Sequence, residues 1–353
     1  MTRRKRSNPA TIKDVAHELG MSVATVSRAL SRPQLLRPET RERVMDAVER
    51  LGYRPNLMAR GLRQGLANAI LFVAPNLSPF FLEIFAGAEA VTRDSQFSLL
   101  FGNSNGDLGS VQHFFEQITS GKADGIILLT GVAPDGYAAG ERQLPPLITV
   151  LERLPGAVVP VVHTDHFAGA QEAVRHLVEL GHRRIAHIAG LRRVPSAIRR
   201  LEGYRTALAA AGVPATAELI ETGDFTMSSG AAAMMRLLAL PQPPTAVFCS
   251  NDEMAYGAIR AVVKMGLSVP EDVSVVGFDD QNLAEFYNPP LTTVAVPRHE
   301  LGRRAAQELI DQLAGRDVAR EVVLPTRLVV RESTAPPTAR RPGSRVRHAK
   351  RNR

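Results

Sequence analysis

A single cysteine, Cys249, leaves no partner for an internal disulfide and no thiolate set for a zinc site. No run of about 18 apolar residues occurs, so no membrane-spanning segment is expected. The opening "MTRRKRSNPA" is basic, but no apolar stretch follows it. That pattern predicts no signal peptide and a cytoplasmic protein. Acid is outnumbered at one end of the chain and missing at the other. Residues 1–66 hold 14 Lys/Arg against 6 Asp/Glu, and residues 336–353 hold 7 bases and no acid. The middle is the reverse, with 22 bases against 29 acids. Basic ends on an acidic body suggest a polyanion partner, most simply nucleic acid. For 336–353 a second reading stands beside it, a tail that only aids solubility.

The stretch "SVATVSRAL" at 22–30 also lacks acid and carries one base, Arg28. Before it, Thr11 and Asp14 form a Thr-x-x-Asp capping pair ahead of Ile12, Val15, Ala16 and Leu19, which predicts a short helix. Gly20 ends that helix, because glycine accepts the left-handed stop. Ser22 is placed to cap a second, with Val23, Val26, Ala29 and Leu30 at helical spacing. Pro38 opens a third, whose apolar face is Val44, Ala47, Val48 and Leu51, with Gly52 closing it. Two short helices around a tight glycine turn make a helix-turn-helix. Arg37 stands at the cap position of helix three and cannot accept its free N–H groups. A recognition helix enters the major groove with its N-terminal residues at the base edges. Val23 and Ala24 suit thymine methyls or a close approach. Thr11, Ser22, Thr25 and Ser27 offer hydroxyls to phosphate, and Arg28 can pair with guanine or phosphate. An ordinary small helical bundle is the plain alternative.

From residue 67 to 335, apolar runs of strand length alternate with helical patterns. "AILFVAP", "FSLLFGNS", "DGIILLT", "PLITVLE" and "VVPVVHTD" form one set; "RRIAHIAG", "AELIETGDF", "TAVFCSND" and "VSVVGFDD" form another. Continuous apolar strands with helices between them predict parallel sheets covered on both faces. Two sets predict two lobes, with a ligand cleft at the carboxyl ends of the strands.

The strings "TIKDVAHELGMSVATVSRAL", "RPETRERVMDAVERLGYRPNLMARGL", "GHRRIAHIAG", "PPTAVFCSNDEMAYGAIRA", "VPEDVSVVGFDD" and "PPLTTVAVPRHELGRRA" resemble, in that order, the lactose/galactose repressor family (LacI/GalR). The strings "LPQPPTAVFC", "SPFFLEIFAGAEA", "NPPLTT" and "PRHELGR" are most similar to its cytidine-responsive subgroup. The resemblance implies a small all-α helix-turn-helix domain (1–54), a hinge helix and linker (55–66), a two-lobe α/β core of the periplasmic-binding-protein type I kind (67–335), and a basic tail (336–353). It implies chain crossings between lobes near 165, 292 and 322. Val23 and Ala24 match the principal base-reading positions. Residues 55–63, "PNLMARGLR", look like the hinge helix, with Asn56, Ala59, Leu62 and Arg63 against DNA and Leu62 as a wedge in the central base step; the other reading of Leu62 is core packing.

Phe80, Phe81, Arg200, Phe225, Asn251 and Asp279 match effector-binding positions. Asp279 would accept two hydroxyls and Arg200 would fork to oxygens opposite. Asp252 is expected as a helix cap rather than a ligand, and Phe80 and Phe81 can also be read as core. The function implied is a dimeric repressor, with a tetramer as the larger assembly, bound to double-stranded operator DNA in the nucleoid and controlled by a sugar or nucleoside. No cofactor, metal, catalytic residue or membrane is expected. "GNSNG" at 102–106 satisfies a nucleophile-elbow pattern, but its Asn105 and Asp107 mark a polar turn and no matching His motif follows. His163, His166, His176, His182 and His187 fall in no metal spacing and are read as structural. A periplasmic sugar-binding protein is the rival of a different class; it would lack the helix-turn-helix.

Overall fold

The computed structural model describes residues 10–31, 36–53, 66–137 and 144–338. The chain forms two compact units, Met1–Ala67 and Asn68–Arg353.

The first unit holds α1 (Ile12–Leu19), α2 (Val23–Ser31) and α3 (Pro38–Arg50). The Asp14 carboxylate accepts both the backbone N–H and the hydroxyl of Thr11, each at 2.7 Å. Gly20 adopts φ 61°, the left-handed stop that lets α2 turn away after two residues. Arg37 gives α3 no side-chain cap, and Pro38 occupies its first turn. Val15, Ala16, Val26, Ala29, Val44 and Ala47 are buried together, so all three helices share one small core.

The second unit is built on two six-stranded sheets. Its strands are β1 (Ala69–Ala74), β2 (Ser98–Asn103), β3 (Gly125–Leu128), β4 (Leu147–Val150), β5 (Val161–Thr164), β6 (Ile185–Ala189), β7 (Ile220–Thr222), β8 (Ala246–Cys249), β9 (Ser274–Asp279), β10 (Thr292–Ala295), β11 (Glu321–Leu324) and β12 (Arg327–Val329). The sheet orders are β11-β5-β4-β3-β1-β2 and β12-β10-β9-β8-β6-β7. Helices α4 (Pro79–Thr92), α5 (Leu108–Thr119), α6 (His166–Glu179), α7 (Pro195–Ala210), α8 (Met227–Leu238), α9 (Asp252–Lys264), α10 (Leu283–Phe286) and α11 (Arg298–Leu313) lie between them. Strands β1, β3, β4, β6, β8 and β9 are buried throughout, as their unbroken apolar runs require.

Three sequence expectations need correction. Strand β12 runs antiparallel to β10, so the second sheet is not wholly parallel. Strand β2, at a sheet edge, leaves Leu100 46% exposed rather than covered on both faces. The crossing near 165 falls between β5 and α6, but the other two lie a few residues later than expected. Position 292 is inside β10 and 322 inside β11; the chain passes at Val296–Pro297, between β10 and α11, and at Pro325–Thr326, between β11 and β12.

Helices α4 and α11 touch through their backbones. A Cβ on Gly302 would lie 1.8 Å from the Ile84 carbonyl oxygen, and one on Gly87 would lie 1.9 Å from that of His299. Only glycine fits either place. Because α11 also packs on β3, β4 and β5, it belongs to the first lobe although it follows a strand of the second.

Candidate functional site

On the first unit, burial of Val26 and Ala29 fixes which side of α2 faces out. Val23 is 39% exposed, and Ala24 and Arg28 are exposed beside it. Ser22 caps the helix: its Oγ accepts the Thr25 N–H at 3.1 Å and lies 2.9 Å from the Thr25 hydroxyl. One hydroxyl donates to the other within that pair, so the second keeps its proton for an outside acceptor. Ser27 is half-buried. The Thr11 hydroxyl is already donated to Asp14, whose carboxyl it holds below the usual range. Asn56, Ala59, Leu62 and Arg63 lie outside the described residues.

In the second unit, the candidate residues gather at the carboxyl ends of strands. Asp279 ends β9 with φ 119°, and Asp280 follows at φ 52°. Two successive non-glycine residues in this region store on the order of 1–3 kcal/mol each. Asp252 braces the corner. Its carboxylate accepts the Gln281 N–H at 2.7 Å and the Thr293 hydroxyl at 2.5 Å. It is therefore not the cap of α9, contrary to expectation. The helix begins at Asp252 itself, so the cap position falls on Asn251, whose Oδ1 accepts the Met254 N–H at 3.0 Å. The Asn251 amide donates to the Phe225 carbonyl at 3.0 Å. Phe225 has φ 69°, and its ring lies close enough to Gly190 that a Cβ there would meet it at 2.2 Å.

Arg200 is buried on α7. Its guanidinium lies 3.9 Å from the centroid of the Phe278 ring, donates to the Ser250 carbonyl, and sits 3.3 Å from His166 Nδ1 and 3.7 Å from Asp279 Oδ1. Arg200 and Asp279 are thus neighbours rather than groups facing across a gap. Burial pushes Asp279 up to about 6, against the pull of Arg200 and Arg298. Burial also lowers Arg200, against the pull of Asp279 and Glu152. Phe80 and Phe81 open α4 in the first lobe, edge to face at 5.1 Å, each half-buried against that lobe's core.

Sequence reasoning missed several members. Glu152, just past β4, accepts the Ser196 hydroxyl at 2.5 Å and the Ser196 N–H at 3.2 Å, tying the first lobe to the start of α7. Burial raises its carboxyl above the usual range despite those bonds. An acid ending a buried parallel strand was the available signal. Arg298, the first residue of α11, contacts Glu83 of α4 at 2.8 Å and donates to the Asp280 carbonyl at 2.8 Å. A cavity of about 450 Å³ is lined in part by Glu152, His163, Thr164, His166, Ser196 and Arg199.

The remaining histidines are tied into the fold. His176 meets Thr334 at 3.0 Å, and His182 bridges Thr245 and Ser274 at 2.9 and 3.1 Å. His187 stacks between Tyr204 and Phe248, and burial lowers it to about 4. His163 contacts Glu321 at 2.6 Å. Among the described residues no three His, Cys, Asp or Glu side chains gather as a metal set. Ser104 of "GNSNG" is fully buried and donates to the Ala74 carbonyl at 3.2 Å.

Residues 11–56 match the bacterial regulatory proteins of the lacI family, and residues 174–334 match a periplasmic binding protein-like domain. The chain is 40% identical over 337 residues to the HTH-type transcriptional repressor CytR of Escherichia coli (strain K12), covering 95% of this chain and 99% of that protein. It is 33% identical to catabolite control protein A of Priestia megaterium, covering 92% and 99%. Among solved structures it resembles the Lac repressor dimer bound to operator and the anti-inducer ONPF, with a TM-score of 0.82, 29% identity and coverage of 93% and 100%. It also resembles the transcriptional regulator CelR–cellobiose complex, at 0.70 and 33%, with coverage of 92% and 99%.

Proposed function

The chain belongs to the lacI family of bacterial regulatory proteins, and from that premise we propose that it is a dimeric transcriptional repressor whose hold on operator DNA is set by a small polar effector. The observation that carries the DNA half is the outer face of α2. Val26 and Ala29 anchor that helix, which leaves Val23 and Ala24 exposed at its start and Arg28 exposed in its last turn. Val23 and Ala24 read base edges; Arg28, Ser27 and the Ser22–Thr25 pair reach guanine or phosphate. Thr11 serves through the helix end it caps. Asn56, Ala59, Leu62 and Arg63 form the minor-groove contact, with Leu62 as wedge. Residues 1–54 and 55–66 are the DNA-binding and hinge segments, 67–335 the effector and dimerisation core, and 336–353 a basic tail.

The effector half rests on Arg200 and Asp279, two buried and partly unsatisfied groups at the strand ends. Phe80, Phe81, Phe225 and Asn251 complete the seat. The CelR complex holds cellobiose, and the Lac repressor dimer was solved with operator and an anti-inducer. Both support a small polar effector here, which we read as a sugar or nucleoside. Effector and operator affinities are linked reciprocally, by typically about 1–3 kcal/mol. The relatives are DNA-binding regulators, and we read this chain as one without enzymatic activity. We place it in the cytoplasm on the nucleoid; no helix among the described residues is long and apolar enough to cross a membrane.

The test is selection of bound sequences from random duplex DNA. A near-palindrome is expected, and changing Val23 and Ala24 together should alter the preferred bases at fixed positions in each half. Unchanged preferences would remove the two residues from base reading. Enrichment of no sequence would remove the repressor function.

A further inference from the structure

Arg200 Nε, Asp279 Oδ1 and His166 Nε2 are buried polar atoms that lack a hydrogen-bond partner on three side chains in contact, and Thr164 Oγ1, two residues before His166 and lining the same cavity as it, is a fourth. They come from α7, β9, the start of α6 and the end of β5, where the chain first crosses between lobes. A buried polar atom left without a partner is destabilising, so a cluster of them calls for a reason.

The imidazole of His166 has only one chemistry open to it. A guanidinium carries donors and no acceptor. Arg200 Nη2 lies 3.3 Å from His166 Nδ1, so Nδ1 accepts. The neutral ring then carries its proton on Nε2. Burial, together with the nearby charges of Arg200, His163 and Arg199, lowers His166 well below the usual histidine range and keeps the ring neutral. The ring is held 5.9 Å from that of Phe278, the same ring that Arg200 covers. His166 and Thr164 also line the cavity of about 450 Å³ between β5 and the start of α7.

We infer that His166 is a specificity-determining residue of the effector seat, its Nε2–H reading an acceptor atom set beside the hydroxyls that Asp279 takes. The inference rests on the effector reading above. The seat then offers two fixed donors, His166 Nε2–H and Arg200 Nε–H, and one acceptor, Asp279 Oδ1. A ring that carries neighbouring hydroxyls and an acceptor free of hydrogen, such as a base carbonyl or a ring oxygen, satisfies all three. A hydrogen-bond donor at the acceptor's place would oppose the imidazole N–H and be rejected.

The test is calorimetric titration of the full-length protein with cytidine, adenosine, ribose and cellobiose, alongside His166→Phe and His166→Gln. The Phe variant keeps a ring against Phe278 and loses both nitrogens; the Gln amide can return an N–H near Nε2. The expected result is at least a tenfold loss of affinity for the bound compound in His166→Phe, with partial recovery in His166→Gln. Nitrogen-15 spectra of the wild type should show Nδ1 bare, Nε2 protonated, and the Nε2 signal moving on saturation. That measurement stands even where a variant fails to fold. Equal affinity of wild type and His166→Phe, or a proton on Nδ1, overturns the role of His166 and leaves the effector reading intact. A wild type that binds none of the four compounds overturns both.

Discussion

Arg200 Nη2 and Asp279 Oδ1 lie 3.7 Å apart, each side chain only 6% exposed, close enough to feel one another's charge and too far apart to share a hydrogen bond. The pair holds opposite charge without discharging it into a tight contact. Asp279 therefore sits at about 6, above its ordinary 3.8, because burial outweighs the arginine.

A pH dependence follows, with a definite sign. Folded Asp279 binds a proton between about pH 4 and 6 that the unfolded chain releases. Its contribution to stability is complete below pH 4 and is lost as pH rises through 6. With Asp279 in the proposed effector seat, binding is expected to run the other way, because only the ionised carboxylate accepts two hydroxyls. Affinity should be flat above pH 7 and fall by up to about tenfold per pH unit below 6. Titrations at pH 5, 6, 7 and 8 check this, and Asp279→Asn should bind more weakly with no pH dependence. A profile unchanged by Asp279→Asn would place the titrating group elsewhere.

Arg298 joins Glu83 of the first lobe to the Asp280 carbonyl of the second, and its charge helps hold Asp279 down. Arg298→Met should lower stability by about 1.5–3 kcal/mol, the usual range for hydrogen bonds to charged groups. It should also move the midpoint of the effector pH profile upward. Denaturant melts and the same titrations read both effects.

Gly302→Ala places a methyl 1.8 Å from a backbone carbonyl that no rotamer can move. Helices α4 and α11 must separate, at a cost of about 3 kcal/mol or more. Urea denaturation should show the midpoint falling. A variant as stable as the wild type would show that the two helices are not in backbone contact.

Val26 is fully buried in the core of the first unit. Val26→Ala removes two methyl groups there and should destabilise that unit by about 2 kcal/mol. Operator affinity should fall while effector affinity stays within twofold. Loss of both would mean that the units do not melt separately.

The sequence was most legible where a few neighbouring residues decide the outcome. Thr11 with Asp14, Gly20, Ser22 and Pro38 set three helices through bonds spanning three residues or fewer. Unbroken apolar runs marked the buried strands for a similar reason. Arg200 and Asp279 were found through the family resemblance; strand ends alone offered many polar residues. What escaped depends on distant partners. Glu152 is set by Ser196, and Asp252 by Gln281 and Thr293, from 29 to 44 positions away. The shift of the cap from Asp252 to Asn251 turned on one residue of helix start, since both side chains are competent caps.

The threefold passage of the chain between lobes also sets an order of birth. On the ribosome, residues up to 53 complete the three helices and their core, so the part that reads DNA can fold almost at once. The first lobe cannot. Its β3 and β4 are made early, yet α11, which covers them, emerges only after most of the second lobe, and β11 only after that. For most of its synthesis the nascent chain is expected to carry three packed helices ahead of an unfinished core, with bare apolar sheet that chaperones are suited to shield.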